Sequence, residues 1–302
     1  MPIKFILSVL FVLWHCQSQA QSDSIFQQKH FRLSLLSGIQ SENLHWSIAG
    51  NLNGENPNIY SELIWKDIIG ITSNLDFEWN FWHKFSFYAS LFNSQTVSGK
   101  VSDSDYSGNN HTNRTFYTYV DANKGYNRSF IPELRYCIYS GKIFQFNFAV
   151  GYIFQKQRLY LLHDEENPLI PDLNSNYSIL WKGIRIGTYF RIRLSPRIKL
   201  GYIFRYNQLD YSANANWNLI TDFKHPDSFS HTANGYKLSN SFGVDYLLYS
   251  KLQITLASSY FYAHTGYGID ELHLTSGENP QTRLNEVINF GYNLSIGIGY
   301  SF

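Results

Sequence analysis

Two aspartates separated by one residue, Asp103 and Asp105, form the local group of side chains in the sequence that could best accept a proton. If this segment is a β-strand, residues at i and i+2 point to the same face, so the two carboxyl groups lie close together. Neighbouring carboxylates repel each other, which raises the pKa of one and can make it a proton acceptor near neutral pH. The same pair could instead bind a cation or remain hydrated at the surface.

Motifs of known soluble enzymes are missing from the sequence. There is no Gly-x-Ser-x-Gly elbow, no His-Glu-x-x-His motif and no phosphate-binding loop. The histidines form no close pair at metal-ligand spacing, and His225 and His231 fall together in a polar segment where solvated side chains are expected. The sequence therefore predicts neither a metal site nor a cofactor.

The composition limits the class of protein. The 302 residues carry 24 Lys+Arg against 23 Asp+Glu, a balance that argues against a nucleic-acid partner held through its phosphates. Beyond the N-terminus, no apolar run reaches the ~18 residues of a transmembrane helix. The chain nevertheless contains 23 Phe, 23 Tyr and 7 Trp. This aromatic load is too heavy for an ordinary soluble core and too scattered for membrane helices.

The N-terminal segment predicts export. Lys4 precedes an apolar run over residues 5–14, and small residues follow up to Ala20. We therefore expect residues 1–20 to be a signal peptide and residues 21–302 to form one domain. Loss of the signal would leave Cys137 as the single cysteine, which excludes an intramolecular disulfide.

Alternation of apolar and polar residues is the dominant pattern after the signal, and it predicts β-strands. Short turns near residues 82–84, 140–141, 195–197 and 249–251 alternate with longer polar loops at 51–58, 104–117, 162–175, 211–234 and 266–283. Strands of a soluble β-sandwich usually run ~5–6 residues, and the runs here are longer. The pattern favours an all-β, ten-stranded antiparallel transmembrane β-barrel with short periplasmic turns and long extracellular loops. A soluble secreted β-protein is the alternative.

The alternation also predicts which side chains face lipid and which face the lumen. Leu63, Trp65, Ile69 and Ile71 share one parity, which places them on the lipid face with most aromatic residues. The opposite parity assigns mixed charges to the lumen: Glu62, Lys66, Asp76, Glu78, Arg185, Arg191, Arg193, Lys199, Arg205 and Asp245. Facing charges of both signs indicate a plugged, salt-bridged interior, so function is expected at the outer loops or at the mouth of the barrel.

Several segments resemble the omptin family of ten-stranded outer-membrane proteases, or a related omptin-like barrel family of unknown activity. They are residues 61–66 (SELIWK), 103–106 (DSDY), 201–206 (GYIFRY) and the closing strand 289–302. The resemblance implies a water held between an Asp-Asp dyad and an Asp-x-His dyad. Asp103 and Asp105 match the first dyad, whereas the second falls at Asn216 and Asn218. Asn cannot accept a proton as imidazole does, so general-base catalysis worth ~10²–10⁴ in rate would be missing.

A shifted alignment would recruit Asp222 and His225 from the same loop, although their spacing differs by one residue from the family motif. For rescue of the second dyad, His225 would have to approach Asp105 across the mouth. The geometry of the folded chain decides this point.

Three functions follow from these expectations. The first is a non-proteolytic outer-membrane barrel with a surface-binding or structural role, which the two asparagines favour. The second is a surface endopeptidase that uses Asp103 and Asp105 to activate water, and the third is a narrow pore. The expected partners are outer-membrane lipid including lipopolysaccharide, the barrel-assembly machinery through the terminal Phe302, and an extracellular peptide or protein ligand, but no nucleic acid. The expected location is the outer membrane of a Gram-negative bacterium.

Overall fold

The computed structural model of the chain describes residues 31–163 and 172–302. The predicted signal peptide at residues 1–20 lies outside the described residues. No helix long and apolar enough to cross a membrane occurs within those two ranges. The described strands are β1 Phe31–Ile48, β2 Ser61–Trp82, β3 Phe85–Tyr106, β4 Arg114–Asp121, β5 Gly125–Ser140, β6 Phe144–Leu162, β7 Asn174–Arg193, β8 Ile198–Asn216, β9 Phe229–Leu247, β10 Leu252–Leu272 and β11 Gln281–Ser301.

The strands form one antiparallel sheet that closes on itself. Apart from β4 and β5, which do not pair with each other, strands that are neighbours in sequence are paired, and β1 pairs with both β2 and β11 to complete the ring. Closure pairs the two ends of the sheet, β1 and β11, so the described sheet has no terminal edge strand. The prediction of an antiparallel β-barrel is confirmed.

The described strands number eleven rather than the predicted ten because one position in the barrel wall is occupied twice. The upper part of β3 pairs with β4, from Lys100 opposite Asp121 to Tyr106 opposite Arg114. Its lower part pairs with β5. The chain interrupts the wall between these two strands at residues 122–124. β4 and β5 are therefore successive segments of one wall position, and the circumference holds ten positions.

Connections at the two ends of the barrel differ in length, as predicted. One end has short turns at residues 83–84, 141–143, 194–197 and 248–251, and it also holds the closing contact in which Phe302 N donates to Phe31 O. The other end has longer connections at residues 49–60, 107–113, 163–173, 217–228 and 273–280. This asymmetry is typical of outer-membrane barrels, whose long loops face the outside.

An apolar belt surrounds the half of the barrel near the short turns. Its outward side chains include Leu35, Ile71, Ile184 and Ile296, all strongly exposed. Strand β2 has 22 residues and so spans roughly 70 Å, far more than the ~25 Å apolar band of a membrane barrel. The other half of the wall therefore projects beyond the membrane, and its outward positions are mostly polar.

A β-bulge in β2 overturns part of the predicted parity. Lys66 and Asp67 stand opposite the single residue Asn43 of β1, and the Asn43 side chain accepts a hydrogen bond from Asp67 N at 3.0 Å. Asp67 has a φ of 52°, as a bulged residue can. The extra residue reverses the alternation above the bulge, so Leu63 and Trp65 point inward. The prediction that they share the lipid face with Ile69 and Ile71 is wrong.

The same bulge moves two charges out of the lumen. Glu62 and Lys66 lie on the outer wall above the apolar belt, where Glu62 contacts His45 at 2.9 Å and His111 at 3.4 Å. Their predicted lumen positions are therefore wrong, for the same geometric reason.

At the level of the apolar belt the interior is filled by ion pairs, and we call this region the lower lumen. Its centre is Glu133, which is 1% exposed. Nitrogens of three arginines lie 3.0, 3.3 and 3.5 Å from its carboxylate, from Arg135, Arg205 and Arg185 respectively. The Tyr189 hydroxyl also donates to this carboxylate. The predicted salt-bridged plug is present in the lower lumen.

Above the belt the interior is apolar, and we call this region the upper core. Trp46, Trp65 and Trp181 are all buried in it, and Trp65 stacks on Tyr177 with ring centroids 5.6 Å apart. Leu44, Leu63 and other aliphatic side chains complete the cluster. The prediction that the aromatic residues mainly coat the outside is therefore incomplete, because these rings fill a core instead.

Candidate functional site

A cavity of about 570 Å³ opens between the upper core and the long loops, and we call it the mouth cavity. Its wall combines three carboxylates, from Asp103, Asp105 and Asp270, with a large apolar surface. The apolar part includes Trp46, Phe116, Leu161, Trp217, Phe223 and Phe229. A pocket of this size that joins apolar walls to a few polar groups is the usual form of a ligand site.

Asp103 and Asp105 both line the mouth cavity, so the predicted common face is present. They lie on β3, where Asp103 pairs with Leu63 of β2 and Thr118 of β4. Asp105 pairs with Ser61 of β2, whose side chain forms a hydrogen bond with its carboxylate. β3 therefore presents both acids to the cavity, with hydrogen-bonded strands on either side.

Burial is the main reason that the acids of this pair hold protons unusually tightly. Asp103 is 9% exposed, and burial together with the neighbouring charge of Asp105 raises its pKa to about 8. A hydrogen bond from the Ser104 backbone opposes this shift. Burial also raises the pKa of Asp105, against the hydrogen bond from Ser61. Repulsion between the two carboxylates, which the sequence predicts as the cause of the raised pKa, is smaller than the effect of desolvation.

Asn216 and Asn218, at the substituted dyad positions, are used to build the loops. The Asn218 side-chain oxygen accepts hydrogen bonds from Asn174 N and Ser175 Oγ, both at 3.0 Å. Its amide nitrogen donates to Asp172 O at 2.8 Å. These contacts tie the end of β8 to the start of β7. Of residues 216–218, Trp217 lines the mouth cavity and the two asparagines do not.

The alternative pair, Asp222 and His225, also lies away from Asp103 and Asp105. His225 contacts the Asn216 side chain at 2.8 Å and Ile220 O at 3.2 Å. The carbonyl of Asp222 accepts hydrogen bonds from Thr275. Neither residue is among those that line the mouth cavity, so the geometry gives no support to a rescued dyad.

A different histidine–aspartate pair borders the cavity, and sequence reasoning missed it. His231 is 0% exposed, and its Nε2 lies 3.0 Å from Asp270 Oδ1. Its Nδ1 lies 2.6 Å from the Tyr177 hydroxyl, which also bonds the Tyr211 hydroxyl. Thr282 Oγ1 donates to the second oxygen of Asp270 at 3.0 Å. These bonds form a continuous buried chain from Tyr211 to Thr282.

A signal for His231 was present in the sequence. Phe229, His231 and Ala233 alternate with Ser230 and Thr232, which is the pattern of a strand that starts at residue 229. The prediction placed His231 in a solvated loop with His225, and it is wrong because β9 begins earlier than expected. Asp270 had no comparable signal, because a register shift in β10 between Thr265 and Gly268 changes which residues face inward.

The hydrogen bonds that run from Tyr211 to Thr282 occupy both ring nitrogens of His231, so neither can take a proton from a substrate water. A neutral imidazole that accepts from Tyr177 at Nδ1 donates at Nε2 to Asp270, so both nitrogens are occupied. Burial raises the pKa of Tyr177 well above its ordinary value, with the nearby charges of Tyr211 and Asp270 adding to the effect, so its hydroxyl stays protonated. Within the described residues, no group of three or more His, Cys, Asp or Glu is arranged to hold a metal ion.

Three smaller cavities follow the barrel downward, with volumes of about 260, 160 and 110 Å³. The first two share Asp76 and Tyr88, and the second and third share Glu78 and Arg191. None of the residues that line them also lines the mouth cavity. The upper core separates the mouth cavity from this series.

A family model and several solved structures are similar to this chain. The family model described as "Pom: Protochlamydia outer membrane protein" matches residues 34–302. The crystal structure of the outer membrane protease OmpT from Escherichia coli superposes with a TM-score of 0.68 at 14% identity, covering 93% of this chain and 99% of that one. The translocator domain of the autotransporter NalP from Neisseria meningitidis covers 98% of this chain and 97% of its own, at 12% identity and a TM-score of 0.42.

No curated protein sequence matches the chain. At 14% identity, the likeness to OmpT shows the fold alone. The predicted omptin-like outer-membrane barrel and its predicted location are confirmed.

Proposed function

The chain belongs to the Protochlamydia outer membrane protein family, and from this premise we propose that it is a non-proteolytic barrel that binds a ligand at its extracellular mouth. The observation that carries the proposal is the mouth cavity itself. It is large enough for a small ligand, it combines acids with aromatic rings, and the upper core closes it from below. A preformed pocket of this kind is built for binding.

The described wall of the mouth cavity contains no histidine, and this supports binding over proteolysis. Attack of water on a peptide bond needs a group that takes a proton within reach of that water. Asn216 and Asn218 are amides that lie outside the cavity wall, and both nitrogens of His231 are occupied. The described wall of the cavity therefore provides carboxylates without an imidazole partner.

An endopeptidase is a second candidate, because one specific observation favours it. Asp103 and Asp105 both line the mouth cavity of a fold shared with a protein described as an outer membrane protease. A carboxylate with a raised pKa can accept a proton near neutral pH. Proteolysis would then depend on these two acids alone.

A narrow pore is a third candidate, which the series of small cavities in the lower lumen favours. Trp46, Trp65 and Trp181 in the upper core stand between that series and the mouth. Conduction would require these rings to move.

One set of measurements on refolded protein, in detergent that contains lipopolysaccharide, separates the three candidates. We expect no cleavage of a peptide library, no conductance in planar bilayers, and saturable binding of members of a mixed library of small molecules and peptides, detected by ligand-observed NMR. Binding should weaken in Phe223→Ala, which removes part of the cavity wall, and persist in Tyr267→Ala, which removes an exposed ring outside it.

Other outcomes would identify another candidate. Cleavage by the wild type that the Asp103→Ala/Asp105→Ala variant loses would establish the endopeptidase. Ion conductance by the wild type would establish the pore. Binding unchanged in Phe223→Ala would contradict the mouth cavity as the site.

The membrane partners of the barrel remain part of the proposal. The apolar belt would contact lipid chains, and exposed cations on the outer wall above it, Lys66, Lys156 and Lys182, would face lipopolysaccharide phosphates. Phe302 at the end of the closing strand would engage the barrel-assembly machinery. We expect lipopolysaccharide to raise the melting temperature of the refolded barrel, and to do so less in a variant with all three lysines changed to Gln. Deletion of Phe302 should lower the amount of barrel assembled in cells.

A further inference from the structure

We propose that the mouth cavity selects a small organic cation that carries a hydrogen-bond acceptor as well as an ammonium group. This inference rests on the proposed binding function and names the chemical class of the ligand. Four observations support it: the charge of the cavity wall, its aromatic surface, two polar atoms without partners, and its volume.

The charge of the described wall has one sign. Asp103, Asp105 and Asp270 line the cavity, and no Lys, Arg or His is among the described residues that do so. In the lower lumen, the buried acids Glu78 and Glu133 lie against arginines. A buried carboxylate without a cation is costly. An ammonium group in the cavity would fill the place that arginines fill around Glu133.

The aromatic surface fits the same ligand class. Tyr60, Phe116, Trp217, Phe223 and Phe229 contribute rings to the wall that also holds the acids. The face of an aromatic ring attracts a cation, especially where water is excluded. Rings also cover the hydrocarbon part of an organic ligand. A bare metal ion would gain little from them, so the wall favours an organic cation.

Two buried polar atoms of the cavity wall have no hydrogen-bond partner among the described residues. They are the indole Nε1 of Trp46, a residue 2% exposed, and the hydroxyl Oγ1 of Thr118, which is 7% exposed. Thr118 stands directly opposite Asp103 in the strand register. A buried donor without an acceptor costs about 1–3 kcal/mol. A ligand that carries an oxygen acceptor as well as an ammonium group would give such a donor its acceptor while the acids hold the cation.

The volume sets the size of the ligand. About 570 Å³ lies within the ~300–1,000 Å³ of small-molecule sites. A folded protein would not enter this space, whereas an aromatic or aliphatic amine would.

The proton balance of the site provides an independent signature. Burial and the charge of Asp105 raise the pKa of Asp103 to about 8, so the empty site holds a proton at neutral pH. A cation beside the carboxylate favours its ionised form. Binding at pH 7 should therefore release a proton from Asp103, and affinity should increase as the pH rises toward 8.

The test uses three ligands of matched shape: tyramine, its neutral alcohol analogue tyrosol, and a hydroxyphenylpropionate as the anionic analogue. Binding to refolded wild-type barrel is measured by titration calorimetry in two buffers of different ionisation enthalpy, which reveals proton release. We expect tyramine to bind at least tenfold more tightly than tyrosol, no binding of the anion, and proton release only with tyramine.

Variants connect the selectivity to named residues. Asp103→Asn and Asp105→Asn should each weaken tyramine binding about tenfold, and Asp103→Asn should abolish proton release. Asp210→Asn, which removes an exposed acid on the outer wall, should leave both unchanged. Trp46→Phe should weaken tyramine binding less, because it removes the indole donor and part of the ring but leaves every acid in place. Melting temperatures identify any variant that fails to fold, and in that event Asp105→Asn, the more exposed position, carries the test.

Each other outcome has a defined meaning. Equal binding of tyramine and tyrosol would overturn the cation preference and leave the binding function in place. No binding of tyramine, with library members still bound, would also overturn the ligand class alone. Cleavage or conductance in the measurements described above would overturn the binding function itself.

Discussion

The lower lumen and the mouth cavity arrange the same kinds of residue in opposite ways. In the lower lumen, acids lie inside against arginines while apolar residues cover the outside, which faces lipid. In the upper half, aromatic and aliphatic side chains fill the inside and mostly polar residues cover the outside. No arginine is among the described residues that line the mouth cavity with its acids. Apolar and polar side chains change sides between the two halves because the lower half is surrounded by lipid and the upper half by water. Lipid accepts apolar side chains, and water accepts polar ones.

Acids in the lower lumen stabilise the fold, whereas acids at the mouth cavity are available to bind a ligand. Glu133 is neutralised by three arginines and has no capacity left for a ligand. Asp103 and Asp105 face a cavity instead. Changing the charge of an acid in each region should therefore have opposite effects on stability.

The largest effect is expected from Glu133→Gln in the lower lumen. The change leaves Arg135, Arg185 and Arg205 around a neutral group in a buried site. Removal of one partner from a buried ion pair typically costs about 3–5 kcal/mol, and we expect at least this loss of the free energy of unfolding. Urea titration of the refolded barrel measures it. Asp245→Asn is the matched control, because Asp245 is a partly exposed lumen acid, and its loss should be below about 1 kcal/mol.

The upper core is tested by Trp65→Ala. Trp65 is 0% exposed, stacks on Tyr177 and donates to Tyr160 O at 3.1 Å. Truncation of a buried large ring costs about 3–5 kcal/mol, and the same urea titration should show a loss at the lower end of this range. Trp79→Ala, at an exposed position in the apolar belt, should lose clearly less. Equal losses would contradict a packed core above the membrane.

A smaller effect of opposite sign is expected from Asp103→Asn. The unfolded chain ionises this aspartate near pH 4, whereas the folded chain keeps its proton until about pH 8. Wild-type stability should therefore fall as the pH rises between these values, and the variant should lack this fall. At pH 8 we expect the variant to be more stable by about 1–3 kcal/mol, measured by urea titration at pH 5 and pH 8. If the wild type were more stable than Asp103→Asn by a larger margin at pH 8 than at pH 5, the ionised Asp103 would stabilise the fold as Glu133 does. That result would contradict the difference between the two regions.

The smallest effect is expected on the outer wall. Glu62 contacts His45 and His111, but all three side chains are partly exposed. Ion pairs in such places contribute about 0–1 kcal/mol. Glu62→Gln should therefore change the midpoint of urea unfolding at pH 7 only slightly. A loss as large as that of Glu133→Gln would show that Glu62 is buried, as its original parity predicted.

Much of the fold followed from local pattern. Regular alternation in segments such as residues 288–302 predicts strands and identifies their apolar face. The alternation of short turns with long loops predicts the antiparallel order and the two ends of the barrel. The spacing of Asp103 and Asp105 predicts that they share a face, since this depends only on the strand repeat. Their roles as site residues are still predictions.

Features that depend on partners distant in the chain did not follow from pattern. The bulge at Asp67 exists because two residues of β2 meet one residue of β1, and this pairing sets the burial of Leu63 and Trp65. The His231–Asp270 pair joins residues 39 positions apart, across a register shift in β10. The alternation of residues within one strand does not reveal a bulge or a register shift, because both depend on the partner strand.

By itself, the sequence determined the class of this protein. A strand repeat of two residues, aromatic residues on one parity and alternating loop lengths are sufficient for an outer-membrane barrel, because lipid requires a closed sheet with an apolar exterior. Only the tertiary structure decided which acids are neutralised and which face a cavity. Burial and the nearest opposite charge arise when strands pair in one register, and a shift of a single residue exchanges the inside of the barrel for the outside.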